Sequence, residues 1–139
     1  MEALPHVLIL ALVSQISCQT WKAVAAGIRT RRIALAPLFS FGGFPSGHAA
    51  FTASVTVGAG MQAGFDSAVF AVSLVLTTIV LHDAVRVRGG VQRLGTAYNE
   101  DRRERGLEPL PLLHGHTVPE IIAGVVVGSL VALIGGLLW

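Results

Sequence analysis

Hydrophobic residues form four long stretches along this chain, separated by polar segments. Each stretch approaches the roughly 20 residues that an α-helix needs to cross a bilayer. The stretches run from about Leu4 to Ala26, Gly47 to Phe65, Ala68 to Val85 and Val118 to Trp139. The middle two are the shortest, so we expect short or tilted helices there. The pattern predicts an all-α membrane bundle of about four transmembrane helices, in a single domain covering residues 1–139.

The composition is typical of a membrane protein. Charged residues make up 13% of the chain and hydrophobic residues 53%, with a mean hydropathy of +0.68. A soluble domain carries roughly 25% charged residues. The first stretch has the length of a signal peptide, but no Lys or Arg precedes it. Because signal peptides begin with basic residues, we expect a retained span.

The basic residues are concentrated in two polar segments. Segments 29–46 and 86–117, together with Lys22, contain all ten Lys and Arg residues. Cytoplasmic loops carry an excess of Lys and Arg, so both segments are predicted to be cytoplasmic and both termini to lie outside. This topology suits a bacterial inner membrane. Within the second segment, residues 93–109 mix Arg with Asp and Glu, which indicates a solvated helix or loop.

Three polar clusters stand at the predicted cytoplasmic face. The first is Lys22 with Arg29, which a helix would place two turns apart on one side, about 10 Å along the axis. The pair could bind an anion, or each side chain could simply reach from its helix to the membrane interface.

The second cluster is Phe44-Pro45-Ser46-Gly47-His48, where the second stretch begins. Ser46 is a favoured N-cap residue, and Gly47 leaves its backbone N–H approachable. A helix N-terminus attracts anions, so we predict an anion site formed by Ser46, Gly47 and His48. The alternative is a simple turn and cap with an incidental histidine.

The third cluster is the run His-Gly-His-Thr-Val-Pro-Glu at residues 114–120, where the last stretch begins. His116 and Glu120 are four residues apart, so the carboxylate could reach one ring nitrogen and leave the other as a nucleophile. Thr117 and Glu120 also match a capping box, and capping could be the only role of Glu120. The two roles are compatible.

The predicted topology brings these clusters to one membrane face. Lys22 ends the first span there, and His48 begins the second. The third span returns at Asp83 to Arg88, and His116 begins the fourth. Independent anchors and caps have no reason to converge, whereas the parts of an active site must. A structural zinc site is the alternative use of the histidines, although their spacing matches no common zinc motif.

The clusters resemble the three-part signature of the type-2 phosphatidic acid phosphatase and vanadium-dependent haloperoxidase superfamily. Pro-Ser-Gly-His at residues 45–48 is the specific part, while Lys22 with Arg29 and His116 with Glu120 resemble the flanking motifs. Their spread is most similar to the small divergent bacterial and plastid branch. The resemblance covers roughly residues 22–128.

Three positions depart from the superfamily pattern. Thr30 replaces the proline of the first motif, and Glu120 replaces the final aspartate. Pro-Leu at residues 109–110 stands where the pattern has Ser-Arg. An arginine from the start of that segment, Arg88 or else Arg86, would then take the place of the missing one.

The resemblance implies hydrolysis of a phosphomonoester through a phosphohistidine, without a metal or cofactor. His116 would attack phosphorus, oriented by Glu120, and His48 would protonate the leaving oxygen. The remaining site residues would hold the phosphoryl oxygens: Lys22, Arg29, Ser46, Gly47 and Arg88. A site at headgroup depth implies a lipid phosphate as the partner, with phosphatidylglycerophosphate as a candidate from the divergent branch. No nucleic-acid partner is expected.

Two other interpretations use the same residues. One is vanadate-dependent halide oxidation, although a membrane site lacks the soluble scaffold of those enzymes. The other is a non-catalytic subunit that binds or transports anionic headgroups, which the missing Ser-Arg pair favours. A homodimer would complete the helical shell, since four spans are few for this superfamily. Gly124 and Gly128 form a small-residue pattern that could serve such a dimer or, as we favour, packing within the chain.

Overall fold

The computed structural model describes residues 6–31, 42–112 and 114–138. These ranges contain α-helices and no strand, which confirms the predicted fold class. A π-helical turn, Asp83–Val87, joins the third helix to the fourth without a break. The α-helices are α1 (His6–Thr30), α2 (Gly47–Ala63), α3 (Ala68–His82), α4 (Arg88–Glu104) and α5 (Val118–Leu138). The predicted limits at Leu4 and Trp139 lie outside the described residues.

Three helical runs are long and apolar enough to cross a membrane. They are α1 with 25 residues, the continuous run of α3 and α4 with 37, and α5 with 21. The other predicted span, α2, has 17 residues and measures about 26 Å at 1.5 Å per residue, slightly less than a hydrocarbon core of ~30 Å. The second stretch is therefore short, as expected. The third is not, because it continues into α4.

α2 is the central helix and packs against α1, α3 and α5. Nine of its 17 residues are buried, and all nine are Gly, Ala, Ser or Thr. Small side chains on every side let three neighbouring helices approach its backbone closely. This composition explains how α2 can lie in the middle of the bundle.

α2 and α5 meet through Gly124 and Gly128. A Cβ atom on Gly124 would collide with the Ser46 carbonyl, and one on Gly128 would collide with the Ala50 carbonyl. Both glycines are thus needed where the two helix backbones touch. Of the two roles that the sequence leaves open for this pattern, the structure uses packing within the chain.

Threonine hydroxyls link α2 to α3. The Oγ1 atoms of Thr56 and Thr77 lie 2.8 Å apart, and Thr77 Oγ1 donates to the Thr52 carbonyl at 3.1 Å. Hydrogen bonds between membrane helices contribute about 0.6 kcal/mol each. They hold α3, and therefore the π-helical turn at its end, in a fixed position against α2.

A small apolar core lies just beneath the polar face. It is formed by Ala49 of α2, Ala84 of the π-helical turn and Ile121 of α5. Each of these residues directly follows a polar residue that the sequence singled out. Because their backbones are packed together, the preceding side chains from three elements are held near one another.

Candidate active site

His116 lies just before α5, and both its ring and its backbone are held. Its Nδ1 is 3.0 Å from Oε2 of Glu120, and its backbone N–H donates to the Ala84 carbonyl at 3.1 Å. The side chain is only 3% exposed. A carboxylate that accepts from Nδ1–H keeps the proton on that nitrogen, so Nε2 carries the lone pair. The contact that the four-residue spacing predicts is present.

Glu120 also caps the helix that it begins. The same Oε2 atom accepts a hydrogen bond from the Thr117 backbone N–H at 2.9 Å, which is the carboxylate half of a capping box. Glu120 therefore fills both roles that the sequence left open. As a result, the orientation of the His116 ring is tied to the first turn of α5.

The first turn of α2 lies beside the first turn of α5. The Ser46 N–H donates to the Glu120 carbonyl at 2.9 Å, and Ser46 Oγ accepts from the Ala49 N–H at 3.4 Å as the N-cap of α2. Ser46 and Gly47 are both buried. The positive ends of two helix dipoles are thus adjacent, which favours an anion between them.

His48, in the first turn of α2, faces charged groups from other parts of the chain. Arg88, His116 and Lys22 all lie close enough to act electrostatically on its ring. The two histidines that the sequence expects at one membrane face therefore lie at the same end of the bundle, within electrostatic range of each other. With Arg88 and Lys22, they gather side chains from α1, α2, α4 and the segment before α5.

Lys22 is buried in spite of its charge, with 8% of the residue exposed. Its Nζ donates to the Gly42 carbonyl at 2.8 Å, and Glu120 acts electrostatically on it. An ammonium has three N–H donors, so Nζ can donate to the Gly42 carbonyl and to an anion at the same time. A charged side chain buried in a membrane-spanning helix is a functional hypothesis by default.

Arg29 is exposed near the end of α1 and lies farther from the histidines along the helix. It shares a cavity of about 590 Å³ with Lys22, His114 and Glu120. We call this space the cationic cavity. The predicted position of Lys22 and Arg29 on one side of a helix agrees with this shared lining.

Arg88, the first residue of α4, is oriented by Asp83. Its Nε donates to Asp83 Oδ2 at 3.1 Å across the π-helical turn. Such turns are frequent at functional sites, and this bond uses Nε, so the terminal amino groups of Arg88 can face an anion. Arg86, the other arginine that the sequence proposes, is exposed and is not among the groups that act on His48.

Gln92 is a further polar residue of the site that sequence reasoning missed. Its Oε1 accepts from the Gly115 N–H at 2.9 Å, which fixes the backbone immediately before His116. Gln92 also lines the cationic cavity. The signal that could have found it is its position four residues after Arg88, which places both on one side of a helix.

The charged groups at this end of the bundle are of the kind that binds an anion. Lys22 and Arg88 act electrostatically on His48, and Arg29 shares the cationic cavity with Lys22 and the capping carboxylate. Among the described residues, no group of three His, Cys, Asp or Glu side chains is close enough to hold a metal ion. The N–H donors and helix N-termini are the kind of groups that bind phosphate.

The family is established by a match that covers nearly the whole chain. A family model described as the divergent PAP2 family matches residues 4–131. This chain belongs to the divergent PAP2 family. The matched range contains every candidate residue described above, so the family confirms the resemblance carried by the motifs.

A bacterial relative of this divergent PAP2 protein is also a membrane protein. The uncharacterized membrane protein YuiD of Bacillus subtilis (strain 168) is 31% identical over 93 residues. The aligned region covers 67% of this chain and 59% of the relative's length. No solved structure is significantly similar to this chain. Together with the apolar helices, the relative identifies a PAP2-related membrane protein.

Proposed function

We propose that this divergent PAP2 protein hydrolyses the phosphomonoester of a membrane lipid through a phosphohistidine. The observation that carries the proposal is that Lys22, Arg88 and His116 all lie within electrostatic range of His48, where the N-termini of α2 and α5 are paired. A phosphate monoester repels nucleophiles because it is doubly charged. Fixed cations and helix N-termini reduce that repulsion and stabilise the equatorial oxygens in the transition state.

In the first step, His116 Nε2 attacks phosphorus while the bond from phosphorus to the lipid oxygen breaks. His48 gives its proton to that oxygen, so the lipid leaves as an alcohol. Glu120 stabilises the positive charge that develops on the His116 ring through the 3.0 Å contact at Nδ1. Lys22, Arg88 and the start of α2 hold the phosphoryl oxygens throughout.

In the second step, water replaces the lipid alcohol. His48, now neutral, removes a proton from the water as its oxygen attacks phosphorus. The bond between phosphorus and Nε2 breaks, inorganic phosphate leaves, and both histidines return to their starting states. General acid–base catalysis of this kind typically contributes about 10²–10⁴-fold to the rate.

The substrate follows from the position of the site at the basic end of the bundle. Lys22 and Arg29 lie in the C-terminal part of α1, a helix long and apolar enough to cross a membrane, so the phosphate would bind near headgroup depth. With the basic segments in the cytoplasm, the site would face the cytoplasmic leaflet of a bacterial inner membrane. Phosphatidylglycerophosphate, whose terminal phosphate is a monoester, is a suitable candidate.

Phosphate release by the purified protein tests this proposal. We expect inorganic phosphate to be released from short-chain lipid phosphates in the presence of EDTA, and vanadate to inhibit the reaction. Rapid quenching with radiolabelled substrate should trap a phosphoenzyme that is labile in acid and stable in alkali. Binding of lipid phosphates without turnover or a phosphoenzyme would instead support the non-catalytic headgroup-binding interpretation.

A further inference from the structure

A second, apolar cavity lies on the outer side of the bundle between α1 and α5. It has a volume of about 480 Å³, and its walls include Cys18 and Trp21 of α1 and Ala123 and Val127 of α5. We call it the α1–α5 groove. Its one hydroxyl, on Ser17, donates to the Val13 carbonyl at 2.8 Å within α1. The groove can therefore contact a hydrocarbon chain, and its described walls have no free hydroxyl that would need a hydrogen-bond partner from the ligand.

The groove adjoins the cationic cavity at Phe44, which lines both. On both helices, a residue of the groove lies deeper in the bundle than a charged residue of the cationic cavity. On α1, Cys18 lies one turn deeper than Lys22, and on α5, Ala123 lies about one turn deeper than Glu120. At 1.5 Å per residue, Cys18 lies about 6 Å and Ala123 about 4.5 Å deeper than these charged groups.

This order matches an amphiphile that has phosphate at one end and hydrocarbon directly beneath it. We propose that the α1–α5 groove binds an acyl chain of the lipid whose phosphate is bound beside Lys22, an inference that rests on the proposed function. Lys22 both lines the cationic cavity and acts electrostatically on His48. The groove opens to the outside of the bundle, since Trp21 and Phe44 are each 57% exposed. Its volume lies within the roughly 300–1,000 Å³ of ligand pockets.

The physics of a bilayer gives this site a distinctive property. Lipid chains are as apolar as the groove, so moving a chain from the bilayer into it gains little hydrophobic free energy. Selective occupation must therefore come from the phosphate bound by Lys22 and its neighbours, while the groove fixes the position of the chain. Occupation of the groove should depend on the headgroup.

Fluorescence quenching of Trp21 measures this directly. The chain has two tryptophans, Trp21 and Trp139, so Trp139→Phe leaves Trp21 as the only reporter. His116→Ala is added to prevent turnover of the lipid. In phosphatidylcholine nanodiscs, phosphatidic acid with brominated chains should quench Trp21 more strongly than brominated phosphatidylcholine at the same mole fraction. Equal quenching by the two lipids would overturn the proposal.

A matched pair of variants on α5 tests the groove itself. Ala123→Phe fills the groove and should remove the excess quenching by phosphatidic acid. Ile122→Phe adds the same ring at a neighbouring residue that is 57% exposed and does not line the groove, and it should retain the excess. Ala123→Val, a smaller change in the same direction, covers the case in which the phenylalanine variant does not fold. Excess quenching that survives both Ala123 changes would contradict the groove.

Kinetics on the chain with His116 intact separate this inference from the proposed function. Ala123→Phe should lower the ratio of kcat/KM for a long-chain lipid phosphate to that for nitrophenyl phosphate, and Ile122→Phe should leave the ratio unchanged. Turnover with no change in this ratio would refute the groove but not the phosphatase. Headgroup-dependent quenching without turnover of any phosphate ester would refute the phosphatase but not the groove.

Discussion

The two ends of the α2–α5 pair are packed alike but differ in chemistry. Near the site Gly124 allows close contact with Ser46, and at the opposite end Gly136 allows close contact with Met61. Each end also has a histidine and a cavity. The far cavity, of about 260 Å³, is lined mainly by apolar residues, with His6 and Gln62 as its polar members. At the near end, Lys22 of α1 and Arg88 of α4 act electrostatically on His48, and Arg29 of α1 lines the cationic cavity.

This difference shows that helix packing alone is enough to form a cavity. A site that can bind and activate an anion also needs charged groups from several elements to converge. Backbone hydrogen bonds fix that convergence at the near end, where Ser46 is bonded to Glu120 and His116 to Ala84. Changes at the near end should therefore act on turnover. Changes at the far end, or in the packed middle, should act on stability.

The largest expected effect separates two histidines at opposite ends of the bundle. His116→Ala removes the proposed nucleophile and should lower kcat/KM for a lipid phosphate by at least about 10⁴-fold. His6→Ala, the matched change in an exposed residue of the far end, should leave kcat/KM close to that of the unmodified protein. Steady-state phosphate release measures both. Comparable losses of kcat/KM in the two variants would show that the effect is not specific to the near end, which would contradict the role of His116 as the nucleophile.

His48→Ala sharpens the comparison within the near end, because its effect should depend on the leaving group. Alkyl phosphates need protonation of the leaving oxygen, so their kcat/KM should fall by about 10²–10⁴-fold. Nitrophenyl phosphate has a good leaving group, and its kcat/KM should fall about tenfold or less. We compare kcat/KM because it depends only on the steps up to departure of the alcohol, whereas kcat also includes the later step in which His48 acts as a base. An equal loss on both would refute the acid role of His48.

Glu120→Gln tests whether orientation and capping can be separated. The amide oxygen can still accept from the Thr117 N–H, so α5 should remain capped and the unfolding temperature nearly unchanged. The charge that stabilises the His116 ring is lost, and kcat should fall by about 10–100-fold, as for other groups that orient a functional histidine. Unfolding of this variant would mean that the carboxylate serves mainly as a cap.

Asp83→Asn concerns a residue that acts only through Arg88. Weakening the 3.1 Å ion pair should lower kcat/KM by about tenfold, since it loosens the guanidinium without removing it. A double-mutant cycle provides the decisive readout. In an Arg88→Ala background, Asp83→Asn should have little further effect. Additive losses would show that Asp83 does not work by positioning Arg88.

Hydrophobic patterning was sufficient to predict much of the fold. The predicted starts of the second and last spans, Gly47 and Val118, are the first residues of α2 and α5, because cap and turn residues mark them locally. The mixed charges of residues 93–109 left helix and loop open. They form most of α4, and its continuity with α3 depends on the π-helical turn. No local sequence signal distinguishes that turn from a helix end.

The sequence predicted those contacts of the site that join residues close together in the chain. His116 and Glu120 are four residues apart at the start of α5, so their contact depends on local geometry. Asp83 was named without a role because its contact depends on an irregular turn, and Gln92 was missed because its contact depends on tertiary structure. The ion pair of Asp83 with Arg88 crosses the π-helical turn, and Gln92 meets Gly115 from a different element.

The smallest expected effect on turnover comes from the packed middle of the α2–α5 pair. Gly128→Ala places a Cβ against the Ala50 backbone, and overpacking of this kind costs about 1–3 kcal/mol. We expect a lower unfolding temperature in detergent, with specific activity of the folded fraction close to that of the unmodified protein. Gly90→Ala is the matched control, because its Cβ would meet only Arg93 Nη2, at 3.9 Å.

The same pair of variants decides between packing within the chain and packing between copies. If Gly128 packs α5 against α2, as the structure has it, Gly128→Ala should destabilise the protein without changing its oligomeric state. Size-exclusion chromatography with light scattering measures that state in the same detergent. A Gly128→Ala protein that keeps its unfolding temperature but changes from dimer to monomer would place the glycine pattern at an interface between two copies. The middle of the pair would then differ from its near end in oligomeric role as well as in chemistry.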